Sequence, residues 1–322
     1  MTRPSLALVV VVVAAAAALP AAQPQFRASI EAVRLDVSVT RGGLPVGGLR
    51  ADDFLVTDNG APQRVESVSL ESVPLSVMLV LDTSGSVAGE RLSQLADAGR
   101  TLVGALHAGD RASLLTFSRD IVVRVPMTPD REAIVGALGT LKGYGATAFR
   151  NAVFSALQLA PQDETRPLIL VFTDGRDNIS WLTQDDLLNA VRQAGVVVHA
   201  VELLDPARVT PASRAAADML ATYGLKGASP LTLAQAAGGM PEGSPFLASA
   251  VAAAGGRRWP AASGKELKPL FAQALDEMRA RYLLTFYPQG ERRAGWHALK
   301  VSLTRGRADI TARPGYVVPS AR

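Results

Sequence analysis

The apolar positions of this chain change rhythm twice. Across residues 27–40 they alternate, with Ile30, Val33, Leu35, Val37 and Val39 set against Glu31, Arg34, Asp36 and Ser38, the period of a half-buried strand. Arg41-Gly42-Gly43 turns the chain, and Asp58-Asn59-Gly60 separates two further alternating runs at 53–57 and 63–68, a strong hairpin signal. Residues 24–72 thus predict strands, too few to bury both faces alone.

From Pro74 the pattern becomes strand and helix by turns. Residues 75–81 and 168–172 are almost uninterrupted apolar runs, which suits strands buried on both faces of a parallel sheet. Helical spacing appears over 90–106, where Leu92, Leu95, Ala96, Leu102, Val103 and Leu106 share a face, and again from Thr147 to about Leu159. Thr128-Pro129 predicts a helix start, Thr as cap and Pro first, running to about Leu141. Thr183-Gln184-Asp185-Asp186 resembles a capping box for a helix to Ala194, and Ser263-Gly264-Lys265-Glu266 another for the helix that follows. Strands fall at 111–117 and 121–125, as a hairpin edge, and at 196–202. Residues 203–245, rich in Ala, Gly and Pro, read as a surface insertion, helical only at 211–223. A helix at 246–254 and a short strand at 257–259 resume the pattern.

Strand rhythm returns at 282–287, 296–303 and 307–313. These strands also lack partners, so the economical arrangement pairs 282–318 with 24–72 in one small β-sandwich. The predicted fold class is α/β: a doubly wound, mostly parallel sheet over 74–281, plus that sandwich from the two ends.

Composition adds the setting. Residues 1–22 have the form of a secretory signal: Arg3, a Val/Ala run over 6–19 and small residues around Ala21-Ala22. That run is short for a membrane span, and no other segment approaches the length. An extracytoplasmic chain, secreted, periplasmic or at the cell surface, with no membrane span after cleavage is therefore expected. There is no cysteine, so no disulfide forms. The net charge of +4 comes from scattered arginines with little aromatic interleaving, which argues against a nucleic-acid partner. Three histidines, no cysteine and no Gly-x-Ser-x-Gly leave no nucleophilic triad. His199, within an apolar strand, reads as a packed core residue.

The candidate chemistry sits where the buried strands end. Asp82, Ser84 and Ser86 follow the first, Thr173-Asp174-Gly175 closes the second, and Lys142-Gly143-Tyr144-Gly145-Ala146-Thr147 presents Thr147 before a helix. Ligands of α/β sheets lie beyond the carboxyl ends of the strands. All these donors are oxygens, the set that suits Mg²⁺, Mn²⁺ or Ca²⁺. Each has a plainer reading: Asp82 and Asp174 as helix caps, Ser84 and Ser86 as turn residues.

Together, Asp82-x-Ser84-x-Ser86, Thr147 and Thr173-Asp174-Gly175 resemble the metal-ion-dependent adhesion site of von Willebrand factor A domains, in that family's order. The resemblance implies that Ser84, Ser86 and Thr147 bind Mg²⁺ through their hydroxyls, while Asp82 and Asp174 act mostly through water. It further implies a protein partner whose acidic residue completes the coordination. Asp177 either adds negative potential at the rim or is a solvated loop acid, and the helix after Thr147 would turn its positive end to the site and favour anions. The layout, with its Arg313-Pro314-Gly315-Tyr316 ending, is also similar to secreted bacterial proteins whose A domains carry strand segments at both ends. The competing expectation is a metal-dependent hydrolase of phosphoesters. Phosphatases of the haloacid-dehalogenase type carry an acid two residues after the nucleophilic Asp, where this chain has Ser84.

Overall fold

The structure, a computed structural model, describes residues 32–70, 73–204, 243–290 and 293–320. The expected signal at 1–22 and nearly all of the 203–245 insertion, with its 211–223 helix, lie outside the described residues.

The central sheet has six strands, in spatial order β11 (Arg258–Ala261), β10 (Val197–Leu203), β9 (Arg166–Thr173), β6 (Leu75–Asp82), β7 (Arg111–Phe117) and β8 (Ile121–Thr128). All neighbours are parallel except β7 and β8, whose three-residue link permits only an antiparallel edge. All eight residues of β6 are buried because side chains pack on both faces of the sheet. Val77, Leu79 and Leu81 join a core with α1 (Glu90–Gly104), α2 (Arg131–Leu138) and α6 (Leu267–Arg279). Met78 and Val80, of opposite parity, join a second core with α3 (Phe149–Leu159), α4 (Gln184–Ala194) and α5 (Pro245–Ala253).

Residues flanking this unit pair with one another. β12 (Tyr282–Phe286) lies between β1 (Val33–Arg41) and β5 (Val65–Leu70), and β1 also pairs with β14 (Asp309–Thr311) and the short β2 (Leu44–Pro45). In a third sheet, β13 (Gly295–Leu303) lies between β3 (Phe54–Asp58) and β15 (Gly315–Val318), with β4 (Ala61–Gln63) beside β3. Leu35 and Val37 from β1, Val56 from β3, Leu284 from β12 and Leu299 from β13 share one core between the two sheets. The Asn59-Gly60 turn joins β3 to β4 with both residues at positive φ, as a two-residue hairpin loop requires.

Two expected helix starts are corrected. Thr128 ends β8; the cap of α2 is Asp130, whose carboxylate accepts from Glu132 N and Ala133 N, and the helix stops at Leu138 rather than Leu141. The stronger acceptor two residues on takes the capping role. Ser263 makes no side-chain cap bond; a single 3₁₀ turn over Gly264–Glu266 precedes α6, and Glu266 instead accepts from Ala262 N. At Thr183 the capping box forms in full.

Candidate metal centre

Strand order brings the distant acids together. β6 and β9 are parallel neighbours with Leu81 opposite Phe172, so both chains leave the sheet at one edge, and Asp82 and Asp174 leave with them. Asp82 Oδ2 accepts the Thr173 hydroxyl at 3.0 Å, and Asp82 Oδ1 accepts the Ser84 amide at 2.9 Å. Ser84 Oγ lies 3.2 Å from Ser86 Oγ, which donates to Asp174 Oδ2 at 2.7 Å. Four of the five expected residues thus form one contact chain from Asp82 to Asp174.

The loop of Thr147 closes over this chain from the side. Tyr144 N donates to Thr83 O, Gly85 N donates to Gly145 O at 3.0 Å, and Ala148 N donates to Ser118 O. Gly143 is required by closeness: a Cβ there would stand 2.8 Å from the Ala88 Cα. Gly145 is required by conformation, at φ 75°. Thr147 is buried, and its backbone exchanges bonds with Asn178, whose Oδ1 accepts Thr147 N at 2.8 Å and whose amide donates to Thr147 O. The three loops that carry Ser84, Thr147 and Asp174 are therefore bonded to one another.

The plainer reading of the two acids as helix caps does not hold, since Ser84 stands at the N-cap of the 3₁₀ turn after Asp82 and Thr183 caps α4; a role in turns coexists with this arrangement. Asp82 accepts Ser84 N and Asp174 accepts Arg176 N at 3.1 Å, each two residues ahead, so one oxygen of each acid shapes its own loop. Asp177 is not a solvated rim acid. Its carboxylate accepts Arg150 N at 2.7 Å and Ser180 N at 3.1 Å, and Ser180 Oγ accepts Asn151 N. The amides at the start of α3 are thus occupied by the protein's own loop, which corrects the expectation that they receive an anion. Sequence inspection missed this cap because it arrives 27 residues along the chain. It missed Asn178 for the same reason. His199 is fully buried, with its ring edge-on to Trp259 at 5.1 Å and Nδ1 accepting Arg257 N.

Electrostatics test whether a cation suits these residues. Burial pushes the Asp82 carboxyl up to about 6, against the hydrogen bonds from Ser84, and the Asp174 charge adds to the rise. Arg176 Nε lies 3.6 Å from Asp174 Oδ2, on a side chain 47% exposed. Burial thus disfavours the charged form of Asp82, and the adjoining hydroxyls retain lone pairs. Two carboxylates with three hydroxyls are a donor set of the type that hard divalent ions take. Among the described residues no three His, Asp or Glu side chains gather in a way that could hold a metal ion.

A parallel-centred α/β sheet with an oxygen cluster beyond adjacent strand ends defines a class, and residues 77–176 match the family model described as "von Willebrand factor type A domain". A domain of that type is supported over this segment, which runs from within β6 to just past Asp174. Inter-alpha-trypsin inhibitor heavy chain H4 of Sus scrofa is 26% identical over 173 residues, 50% of this chain and 18% of that protein. The protein sll0103 of Synechocystis is 31% identical over 109 residues, 33% of this chain and 26% of its own. The chain thus spans well under two thirds of these relatives. Among solved structures, proximal thread matrix protein 1 from the mussel byssus, described with a zinc occupied MIDAS motif, has 12% identity and a TM-score of 0.47, covering 67% of this chain and 48% of that one. An aerotolerance-related membrane protein of Bacteroides fragilis has 16% identity and a TM-score of 0.44, covering 63% and 99%.

Proposed function

We propose that the chain is a non-enzymatic interaction module that acts outside the cytoplasm and binds a protein partner through a bridging divalent cation. Ser84, Ser86 and Thr147 would hold Mg²⁺, or Mn²⁺ or Ca²⁺, by their hydroxyls. Asp82 and Asp174 would keep negative charge beside it, largely through water. When bound, the ion offers an open position to a carboxylate of the partner. In this reading residues 74–281 are the A domain, doubly wound on its sheet, with 203–245 as an insertion. Residues 24–72 and 282–318 compose a small β-sandwich of the secreted bacterial kind, and 1–22 are the export signal.

The observation that carries the reading is the unbroken contact chain Asp82–Ser84–Ser86–Asp174 at one sheet edge, with the Thr147 loop bonded onto it. A hydrolytic role finds no histidine at the site: His107 contacts Arg279, His199 is buried beside Trp259, and His297 contacts Asp58.

The test is capture of proteins from an extracytoplasmic extract on the immobilised chain, with Mg²⁺ or with EDTA. A partner retained only with Mg²⁺, and lost with Ser84→Ala, is the expected result. Phosphoester turnover that depends on Mg²⁺ and is lost in Ser84→Ala would replace the proposal with the hydrolase.

A further inference from the structure

The loop after Asp174 is fastened on both flanks and leaves two large apolar side chains outside. Arg150 donates to Ser180 O and to Leu182 O, and Asn151 Oδ1 accepts Leu182 N. Between these anchored residues stands Trp181, 75% exposed. Ile179, also exposed, donates its amide to Thr147 O, and exposed Tyr144 lies on the loop that reaches Thr83. Ile179 and Tyr144 thus lie on loops bonded to the Thr147 and Thr83 backbone, and Trp181 stands two residues beyond Ile179 on the same loop. The backbone on both sides of this indole is already ordered, and tryptophan is the type of side chain that anchors interfaces.

The charge of the same rim selects the partner. Arg91 donates to Ser86 O, the Arg119 side chain packs against Gly145, and Arg176 adjoins Asp174. Each of the three site loops is thus edged by a guanidinium. Asp120, next to Arg119, is engaged by the Tyr144 hydroxyl at 3.4 Å, and Asp177, next to Arg176, by the Arg150 and Ser180 amides.

We propose that this rim is a specificity surface for an acidic peptide segment of a partner protein that carries an aromatic or aliphatic side chain close to its carboxylates. Trp181 and Ile179 receive the apolar side chain, while Arg91 and Arg119 face additional carboxylates beside the one at the hydroxyl cluster. The inference rests on the cation-bridged reading for that last carboxylate alone.

The experiment is selection of a random peptide library on the full chain with Mg²⁺, in parallel on Trp181→Ala and Ser84→Ala. Wild type should enrich peptides that pair acidic with aromatic or aliphatic residues. A synthetic copy of the enriched sequence should bind Trp181→Ala about tenfold or more weakly, with its Mg²⁺ dependence intact. Because Trp181 is largely solvent-exposed, that variant keeps its core. Equal affinity of wild type and Trp181→Ala, or enrichment without acidic residues, overturns the specificity surface. Adsorption of the wild type to anionic lipid vesicles, with no peptide enriched, overturns it in favour of a membrane surface. Binding that survives unchanged in Ser84→Ala and in EDTA, yet falls in Trp181→Ala, refutes the cation bridge and leaves the rim standing.

Discussion

At the scale of single residues the site is governed by one buried carboxylate. The folded-state value of Asp82, about 6, lies above its ordinary 3.8, so folding favours its protonated form. Its contribution to stability is therefore fully present below pH 4 and is lost as pH rises through about 6. Metal-free protein should lose stability across that window relative to Asp82→Asn, by roughly 3 kcal/mol at most. Saturating Mg²⁺ should reverse the trend, because the cation favours the carboxylate and its binding releases the proton. Chemical denaturation of both proteins at pH 4.5 and pH 7, with and without Mg²⁺, checks the sign. An identical pH slope in both proteins would show that Asp82 does not carry the effect. The residue types and order of this cluster were legible in the sequence, since apolar runs ending in acids and hydroxyls announce themselves. The roles of Asn178 and Asp177 were not, because an amide or carboxylate in a polar loop carries no local mark of which distant backbone it will meet.

At the scale of elements, local signals succeeded where the partner is close in sequence. Thr183 and Asp186 cap each other within one turn, and Asn59-Gly60 closes a two-residue hairpin. The start of α2 misled because Thr128 and Asp130 compete for the same cap, and the carboxylate accepts two amides where a hydroxyl would take one. β15 went unrecognised: the Tyr316-Val317-Val318 run that forms it is a short β-branched signal next to a proline. Helix α3 starts on Ala148, a poor cap, and depends on Asp177 and Ser180 from the following loop. Replacing Asp177 by Ala should cost about 1 kcal/mol of stability, the value of an N-cap. It should also release the 177–182 loop, read as faster hydrogen exchange at the Arg150 and Ser180 amides. Unchanged exchange there would contradict the cap.

For the whole molecule, strand β1 is held to the α/β unit by a buried charge pair. Arg166, at the foot of β9, pairs with Asp36 of β1 at 2.5 Å and donates to the carbonyls of Met278, in the last turn of α6, and Arg281, in the link to β12. Arg166 is 2% exposed, so losing Asp36 strands a guanidinium in the interior. Asp36→Ala should destabilise by about 3 kcal/mol or more, with loss of a single cooperative unfolding transition. A change under about 1 kcal/mol would mean that water reaches Arg166. Pairing requirements in the sequence pointed to partners between the ends, because neither set of strands can bury two faces alone. The Arg166–Asp36 link was invisible there, since Asp36 read as an ordinary polar-face position of its strand and Arg166 as an ordinary strand start. No helix among the described residues is long and apolar enough to cross a membrane.

The central claim is that oxygens from three loops hold one hard divalent cation. Calorimetric titration of Mg²⁺ and Mn²⁺ into the metal-free chain, beside Ser84→Ala and Thr147→Val, tests it most directly. The account predicts one saturable site per chain in the wild type, proton release that grows toward pH 6, and at least tenfold weaker binding in each variant. Equal binding in wild type and both variants, or no saturable binding in the wild type at millimolar Mg²⁺ and Mn²⁺, would contradict it.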